Sequence, residues 1–383
     1  MVIYYKYNMS KAQWESLQLD IRQNAERSTT IATNTKTIKQ LVHKLGNQLR
    51  KLDKKVFEPL KTTITYMDLF CGLGAFHTAF NSINVNNRTK ARNINYKCVF
   101  ACDIDVGVRK IYEENYGIAP HGDINNIDID QIPDCDIMCA GIPCQPFSIS
   151  GKKEGFKDVK KGNLFYRVLD IIDGKQPNTV IIENVKNLHS IHGGKTFKTI
   201  MKELRKRKYK VSYEIIDSKD YESPQSRKRI YIICRKDKLY KFKHIASPLV
   251  PVSSIIDHTV TEFFDYNEKY RLEECVNQRS MMKYKLINKT TGKGGRQGER
   301  IYSIDGNGPT ICATSGGPGA KTGLYEVDVL NTKIRTLSVQ ETLQMFGFPI
   351  EYKYETLPNK KHMLFYLGNS IVVNVLIGIL RRL

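Results

Sequence analysis

The sequence has nine cysteines among its 383 residues but no CxxC pair. The cysteines are scattered along the chain, as Cys71, Cys98, Cys102, Cys135, Cys139, Cys144, Cys234, Cys275 and Cys312. Structural zinc sites use closely spaced cysteines, and the disulfide frameworks of small secreted domains use an even number of them. We therefore expect no metal and no disulfides, and free thiols fit a reducing cytoplasm.

Long apolar runs and acidic residues are also scarce. We find neither a run of about 18 apolar residues nor a signal peptide, so the sequence predicts a cytoplasmic protein without a membrane span. Lysine and arginine total 60 against 39 aspartate and glutamate, which gives a formal net charge of +21. This excess favours a polyanionic partner. Because no basic amphipathic anchor is evident, nucleic acid is favoured over a membrane.

Composition divides the chain into four parts. Residues 1–60 are basic, and apolar residues recur at helical spacing from Ile38 to Leu52, which predicts a helical extension. A hairpin packed on the main domain, a helix-turn-helix regulator and a DNA-contacting arm all remain open for this extension. Residues 246–345 contain the segments GKGGRQGER, DGNG and SGGPGAKTG, which predict loops on a small β-rich scaffold. Residues 346–383 end in an apolar stretch that predicts a helix packed on the domain of residues 61–245.

Residues 61–245 show short apolar strands alternating with helical segments, which is typical of an open parallel sheet. The strand segments are ITYMDLF, YKCVFACDID, CDIMCAGI and TVIIENV. Two more, YKVSYEII and RIYIICR, follow with a loop too short for a helical crossover, so this last pair must be antiparallel.

Three strand ends carry groups suited to an adenosine-containing cofactor. The segment DLFCGLGAF (68–76) opens a helix after the first strand, and its glycines allow a ligand to approach the backbone. It lacks the GxGxxG spacing of a dinucleotide site, and by itself it fits a plain strand-to-helix turn equally well. The second strand ends in CDID, where an acid suits ribose hydroxyls. The segment HGDINN then puts Asp123 at the end of the next strand, within reach of an adenine amino group.

Four further motifs carry reactive or charged side chains. Cys144 lies between two prolines in GIPCQPFSISG and fits either a buried structural cysteine or a nucleophile on a rigid loop. Glu183 stands at the strand end IENV, and a carboxyl at the carboxyl edge of a parallel sheet occupies a site position. Arg227 and Arg229 in QSRKR alternate, which places them on one face of a strand. Asn369 lies in GNS.

The order of these motifs resembles that of the DNA (cytosine-5)-methyltransferase family. The ordered set is DLFxGxG, PCQPFS, ENV, QxRxR, a Gly-rich block, RTLSVQE and GNSIVVNV, and it runs from about residue 64 to the C-terminus. The Gly-rich block also resembles the recognition region of small bacterial members that modify GCGC. The resemblance implies an α/β fold, with a Rossmann-like sheet that uses S-adenosyl-L-methionine and a small, β- and loop-rich target-recognition domain. Residues 1–60 have no counterpart in the smallest members.

The resemblance implies a covalent mechanism for methylating cytosine C5. Cys144 matches the thiolate that adds to C6, and its flanking prolines would keep the sulfur aligned with that atom. Glu183 matches the acid that protonates N3. Arg227 matches the residue that contacts O2, and Arg227 and Arg229 together would favour the thiolate.

The resemblance also implies a set of cofactor contacts. They are Phe70, Gly72, Leu73, Gly74, Asp103, Ile104, Asp123, Ile124, Leu164 and Asn369. Asp103 matches the ribose-binding acid, and Asp123 and Ile124 match the adenine contacts. Leu164 and Asn369 match residues at the methionine end. Ile104 is a departure, because the GCGC-modifying enzymes have tryptophan there.

The implied partner is double-stranded DNA, from which the target base is flipped out. Ser150 and Gln297 match residues that fill the gap left by the base, although the Gln297 match crosses a one-residue insertion at Arg296. Arg300 and Thr310 are candidates for base or backbone contacts. We expect a monomer that either pairs functionally with a restriction endonuclease or acts as an orphan or phage modifier.

Three other functions were weighed against this one. A tRNA-modifying branch of the family carries a Cys-Phe-Thr signature, which this sequence lacks. An inactive DNA-binding module does not explain why Cys144, Glu183 and Arg227 are all present. A nicotinamide-dependent dehydrogenase lacks support from the glycine spacing.

Overall fold

The computed structural model describes residues 15–16, 18–20, 62–89, 94–143, 164–243, 247–275, 281–314, 316–356 and 359–383. The chain separates into two compact units, Met1–Thr62 and Thr63–Leu383. The described residues before residue 62 are helical and exposed. The helix predicted from Ile38 to Leu52 lies outside the described residues.

A six-stranded sheet forms the centre of the second unit. Its strands are β1 (Thr62–Leu69), β2 (Ile94–Cys102), β3 (Ile137–Gly141), β4 (Thr179–Val185), β5 (Lys210–Asp217) and β6 (Lys228–Arg235), in the order β2-β1-β3-β4-β6-β5. Strands β1, β3 and β4 are parallel, and β6 is antiparallel to both of its neighbours, β4 and β5. The predicted parallel sheet with a final antiparallel pair is therefore confirmed.

Seven described helices accompany the two sheets. They are α1 (Ala75–Thr89), α2 (Val106–Tyr116), α3 (Leu164–Lys175), α4 (Lys195–Lys206), α5 (Val339–Met345), α6 (Lys360–Asn369) and α7 (Val373–Leu380). Helix α2 shows how the local sequence sets these boundaries. Asp105 accepts hydrogen bonds from the amides of Gly107 and Val108 at its start, and Gly117 ends it at φ 67°.

The sheet is buried on both faces. Helices α1, α5, α6 and α7 pack on one face, and α3 and α4 pack on the other. Strand β4 is buried over six of its seven residues, as its apolar, β-branched sequence predicts for a central parallel strand. The order of strands reverses at β1, between β2 and β3, which makes the carboxyl ends of β1 and β3 the expected ligand crevice.

The C-terminal segment returns to the sheet as predicted, but it forms two helices instead of one. Helices α6 and α7 are separated at Ser370–Val372, and α7 lies against α1. By length and composition the stretch Lys361–Leu380 could cross a membrane, yet 61% of its most apolar window is buried in the protein. Because the stretch is broken into two helices and is mostly buried, it is part of the core of a folded domain.

A second sheet of five strands follows the first. Its strands are β7 (Tyr270–Glu274), β8 (Met282–Asn288), β9 (Arg300–Ser303), β10 (Leu324–Asp328) and β11 (Lys333–Arg335), in the order β11-β10-β9-β8-β7. Leu286, Ile301, Leu324 and Ile334 form its small core. The Gly-rich segments connect these strands, as the sequence predicts, whereas the exact domain boundaries stay a prediction.

Candidate functional site

Four sequence motifs converge at Gly141, the last residue of β3. Gly141 is in register with Glu183 on the neighbouring strand β4. A Cβ atom at Gly141 would lie 3.3 Å from Cδ1 of Ile371 and 3.9 Å from the carbonyl oxygen of Phe70. The segments DLFCG, GIP, ENV and GNSI therefore meet at one edge of the sheet, where the strand order reverses.

Glu183 is a buried carboxyl with a cation beside it. Its residue is 8% exposed, and Nε of Arg229 lies 3.4 Å from its Oε1. The two residues share a face of the sheet because Glu183 pairs with Tyr231, two positions along β6 from Arg229. Burial raises the pKa of Glu183, and the positive charges of Arg229 and Arg227 partly oppose that rise. A carboxyl held toward its protonated form can act as a general acid.

Arg227 and Arg229 are both close enough to Glu183 for their charges to act on its carboxyl, but the two side chains are held differently. Strand β6 begins at Lys228, so Arg227 precedes the strand, and it is 3% exposed. Its Nη1 donates to the carbonyl oxygen of Ile311 at 2.8 Å, and its Nη2 donates to those of Gly368 and Ser370 at 2.8 and 3.0 Å. These contacts use three of the five N–H groups of the guanidinium, whereas its Nε is buried and has no partner among the described residues. The side chain paired with Glu183 is that of Arg229.

Besides these carbonyls, an aromatic ring and the charges of Arg229 and Glu183 surround Arg227. Its guanidinium lies 5.1 Å from the ring centroid of Phe346. Burial, together with the charge of Arg229, lowers the pKa of Arg227 to about 9. The group is thus enclosed in the protein and held by backbone acceptors.

Cys144 and Ser150 lie outside the described residues, but the backbone that leads to Cys144 is described. The side chain of Asn184, 2% exposed, donates from Nδ2 to the carbonyl oxygen of Ile142 at 2.9 Å. Asn184 therefore fixes the chain two residues before Cys144. Asn184 was not among the predicted site residues, although its place in ENV beside Glu183 is a signal for it in the sequence.

Asp103 connects the first two strand ends. Its Oδ2 accepts from the amide of Gly72 at 2.9 Å, and its Oδ1 accepts from the amide of Asp105 at 3.0 Å. Its own amide donates to the carbonyl oxygen of His121 at 3.0 Å, which brings HGDINN beside CDID. Burial is the main reason why the pKa of Asp103 is raised, and the two amide donors oppose that rise.

Asp123 does not end a strand, contrary to the sequence prediction. The described residues around it form a single bridge, between Cys102 and His121, and then a 3₁₀ turn that Asp123 caps by accepting from the amide of Asn125. One bridge is too short to be a strand, but it still brings Asp123 near Asp103. Ile124 is buried, and its carbonyl oxygen accepts from Nε of Arg167 at 3.0 Å.

The glycine-rich turn after β1 borders open space at Gly72 and packs against protein atoms at Gly74. Phe70, Gly72 and Gly74 all have positive φ, at 57°, 50° and 77°. A Cβ at Gly72 would meet only the Phe70 carbonyl oxygen, at 4.0 Å, whereas one at Gly74 would lie 2.3 Å from the ring of Tyr116. Leu73 is 1% exposed and belongs to the core. Of the four predicted residues here, Gly72 therefore borders open space, whereas the Leu73 side chain and Gly74 face the interior.

The residues around this turn fit a nucleoside. Ile104 is 72% exposed, and it directly follows Asp103. The carboxylates of Asp103 and Asp123 suit ribose hydroxyls and the edge of an adenine ring. The exposed Ile104 side chain suits the face of that ring, and Gly72 lets a ligand approach the backbone closely. Leu164 begins α3 and is partly buried. Asn369 ends α6, is exposed, and donates to the carbonyl oxygen of Phe365.

The predicted DNA contacts differ in the exposure and hydrogen bonding of their side chains. Gln297 is exposed at the start of a 3₁₀ turn, Gln297–Glu299. Arg300 begins β9, and its Nε donates to the carbonyl oxygen of Gly295 at 3.2 Å. The hydroxyl of Thr310 donates to the carbonyl oxygen of Ser226 at 2.7 Å, so this hydrogen is used inside the protein.

Comparison with known proteins assigns the family. The model of the C-5 cytosine-specific DNA methylase family matches residues 64–383. The chain belongs to this family. The methylase is 35% identical over 325 residues to the type II methyltransferase M.HhaI of Haemophilus parahaemolyticus, covering 82% of this chain and 92% of M.HhaI. It is 32% identical over 312 residues to M.NgoBI of Neisseria gonorrhoeae, covering 81% and 90%.

Solved structures confirm the fold of the methylase. The Dnmt2 methyltransferase of S. pombe superposes with a TM-score of 0.61 at 20% identity, covering 83% of this chain and 97% of that one. The Entamoeba histolytica methyltransferase EhMeth gives 0.61 at 19% identity, covering 84% and 98%. At these identities the likeness concerns the fold alone. Family membership makes the chain a DNA cytosine-5 methyltransferase and excludes the dehydrogenase alternative.

Proposed function

We propose that this methylase transfers a methyl group from S-adenosyl-L-methionine to C5 of a flipped-out cytosine within a specific duplex sequence, through a covalent bond between Cys144 and C6. The observation that carries the proposal is the buried Glu183 beside Arg229, in register with Gly141, three residues before Cys144. This geometry supports an acid and a nucleophile at one edge of the sheet.

The chemistry assigns a separate role to each side chain. The Cys144 thiolate adds to C6 while protonated Glu183 donates to N3, so electron density moves toward C5. Bound S-adenosyl-L-methionine supplies the methyl group that C5 accepts. The C5 proton then passes to water, the Cys144–C6 bond breaks and N3 returns its proton to Glu183, which restores the aromatic ring, the thiolate and the acid. We assign Arg229 to cytosine O2, because it lies beside Glu183, whereas Arg227 is held by three buried carbonyls.

The cofactor would lie along the carboxyl ends of β1 and β2. Asp103 would accept from the ribose hydroxyls, and Asp123 with the backbone at Ile124 would bind the adenine edge. Ile104 would cover the adenine face. Phe70, Gly72, Leu73 and Gly74 would contribute the turn, and Leu164 and Asn369 would flank the methionine end.

The proposed partner is double-stranded DNA. Gln297 and Ser150 would fill the space left by the flipped base, and Arg300 would contact a base or the backbone, as would Thr310 through its remaining surface. A charge of +21 supports binding to phosphate. We propose a cytoplasmic monomer without metal that pairs functionally with a restriction endonuclease; its similarity to type II methyltransferases supports this pairing.

Bisulfite sequencing of a plasmid carried in cells that express the protein tests this function. We expect protected cytosines in one short repeated sequence, and none when the cells express the Cys144→Ala variant. Protection by the variant would contradict the nucleophile assignment. Absence of protection by the wild-type protein, with transfer of labelled methyl groups to RNA instead, would contradict DNA as the substrate.

A further inference from the structure

The loop before β6 and a segment of the Gly-rich block are held together by hydrogen bonds. Five of these bonds join residues 223–226 to residues 307–311: Asn307 Nδ2 to Ser223 O (3.1 Å), Gly308 N to Pro224 O (2.7 Å), Ser226 N to Gly308 O (2.9 Å), Thr310 Oγ1 to Ser226 O (2.7 Å) and Ile311 N to Gln225 Oε1 (3.0 Å). The recognition segment, defined as residues 307–313, is therefore fixed to the catalytic sheet at this loop.

Arg227 extends this junction to a third part of the chain. Its Nη1 donates to Ile311 in the recognition segment, and its Nη2 donates to the carbonyls of Gly368 and Ser370. Asn369, a proposed cofactor contact, lies between these two acceptors. The contact is close, because a Cβ at Gly368 would lie 2.2 Å from the amide nitrogen of Ala313.

We propose that Arg227 is a positioning residue that couples the recognition segment to the Gly368–Ser370 turn, so that binding of the target DNA and binding of the cofactor influence each other. The inference rests on the proposed function, and it gives Arg227 a role distinct from contact with the base. Coupling of this kind is reciprocal, since each ligand must change the affinity for the other by the same factor.

The alternative role, direct contact with cytosine, conflicts with the bonds of Arg227. Its Nε has no partner among the described residues, but this nitrogen is itself buried. To reach a base, the guanidinium would therefore have to leave carbonyl groups that are enclosed in the protein, and buried acceptors without donors are unfavourable. Lysine is a poor substitute, because a single ammonium lacks the planar fork that serves acceptors in two directions. Arg227→Lys should therefore resemble Arg227→Met, whereas a base-contacting charge would be partly rescued by lysine.

The test measures the dissociation constant of S-adenosyl-L-methionine with and without target duplex, for the full chain and its variants. The coupling factor is the ratio of the cofactor dissociation constants without and with target duplex, and we expect it to exceed one in the wild type. Arg227→Met and Arg227→Lys should lower this factor about tenfold, or to one if the wild-type factor is smaller than that. Arg229→Met is the matched control. It should slow single-turnover methyl transfer and leave the coupling factor within about twofold of the wild type.

Hydrogen exchange gives a second measurement that does not depend on activity. Arg227→Met should speed exchange at the amides of both the recognition segment and residues 368–372, and Arg229→Met should not. Gly368→Ala, which pushes the same two segments apart, should reproduce the loss of coupling if Arg227→Met fails to fold.

Two results would overturn the inference: a wild type without coupling, or an Arg227→Met variant that keeps the coupling and loses only the transfer rate. Failure of the proposed function is a separate result, because it would appear as wild-type protein that methylates no cytosine, while the exchange measurement would still decide the role of Arg227.

Discussion

Nε of Arg229 lies 3.4 Å from Oε1 of Glu183, across the neighbouring antiparallel strands β6 and β4. Burial raises the pKa of the carboxyl, and the guanidinium opposes that rise. The buried carboxyl therefore keeps a proton that it can donate to cytosine, and the nearby guanidinium stabilises the carboxylate that remains after the donation. This balance is what a general acid requires when it donates to a substrate and then recovers its proton.

Glu183→Gln should abolish most activity and stabilise the fold. Loss of a general acid lowers the single-turnover rate by about 10²- to 10⁴-fold. Because the folded pKa of Glu183 is raised, its protonation favours the fold at low pH, and this contribution is lost as pH rises through the folded pKa. Glutamine stays neutral, so its advantage in Tm should grow from pH 4 to pH 8. A wild type that is the more stable protein at pH 8 would contradict this prediction, and Glu351→Gln, at an exposed position, is the control.

Arg229→Met should shift the pH dependence of methyl transfer upward. Burial raises the pKa of Glu183 and the Arg229 cation lowers it, so removal of the cation should raise the pKa of the carboxyl further. Arg229→Lys should retain part of the effect, because it keeps the charge but not the planar geometry. Single-turnover rates measured across pH would show the shift, and a midpoint that moves downward would rule out the proposed electrostatic relation.

Asp103→Asn should weaken cofactor binding by about 10- to 100-fold, since it removes the charged acceptor proposed for the ribose hydroxyls. The asparagine oxygen can still accept from one of the two amides, at Gly72 or Asp105, so the turn should survive. Calorimetric titration with S-adenosyl-L-methionine measures the effect. Asp130→Asn, at an exposed position, is the control and should leave the dissociation constant unchanged. If both variants lose the same affinity, Asp103 does not bind the cofactor.

Gly74→Ala should destabilise the protein more than Gly117→Ala, although both glycines have positive φ. At Gly117, with φ 67° and nothing within 4 Å of the new Cβ, only the backbone preference is lost, which is about 1 kcal/mol. At Gly74 the Cβ would also lie 2.3 Å from the Tyr116 ring, which adds about 1–3 kcal/mol of overpacking. Urea unfolding of the two variants gives the difference, and equal free energies of unfolding would contradict the steric argument.

Arg335→Met should be among the most destabilising changes in the described chain. Its side chain is 1% exposed, and both terminal nitrogens donate to the fully buried Glu341 at 2.7 Å. Removing one member of a buried ion pair costs about 3–5 kcal/mol, because the other charge stays buried. The paired change Arg335→Met with Glu341→Gln should recover part of that loss in urea unfolding. A double variant that is no more stable than Arg335→Met alone would contradict this.

Local sequence was sufficient for the strands. TVIIENV forms β4 residue for residue as predicted, because an apolar, β-branched segment between polar turns has few other stable conformations. The short loop between the last two strands fixed their antiparallel pairing. The motif order also sufficed to identify the family and to bring Glu183, Gly141 and Phe70 to one edge, since parallel strands end at the same edge of a sheet.

Tertiary structure decided which side chains face the site. Arg227 and Arg229 look equivalent in QSRKR, yet Arg227 donates to carbonyls 84, 141 and 143 residues away in sequence. The C-terminal apolar stretch likewise became two helices where Ser370 meets Arg227. Sequence alone determined the six strands of the main sheet and the chemistry available at their ends. The assignment of each group to substrate, cofactor or core required the three-dimensional arrangement, because hydrogen-bond partners distant in sequence are not encoded in any local pattern.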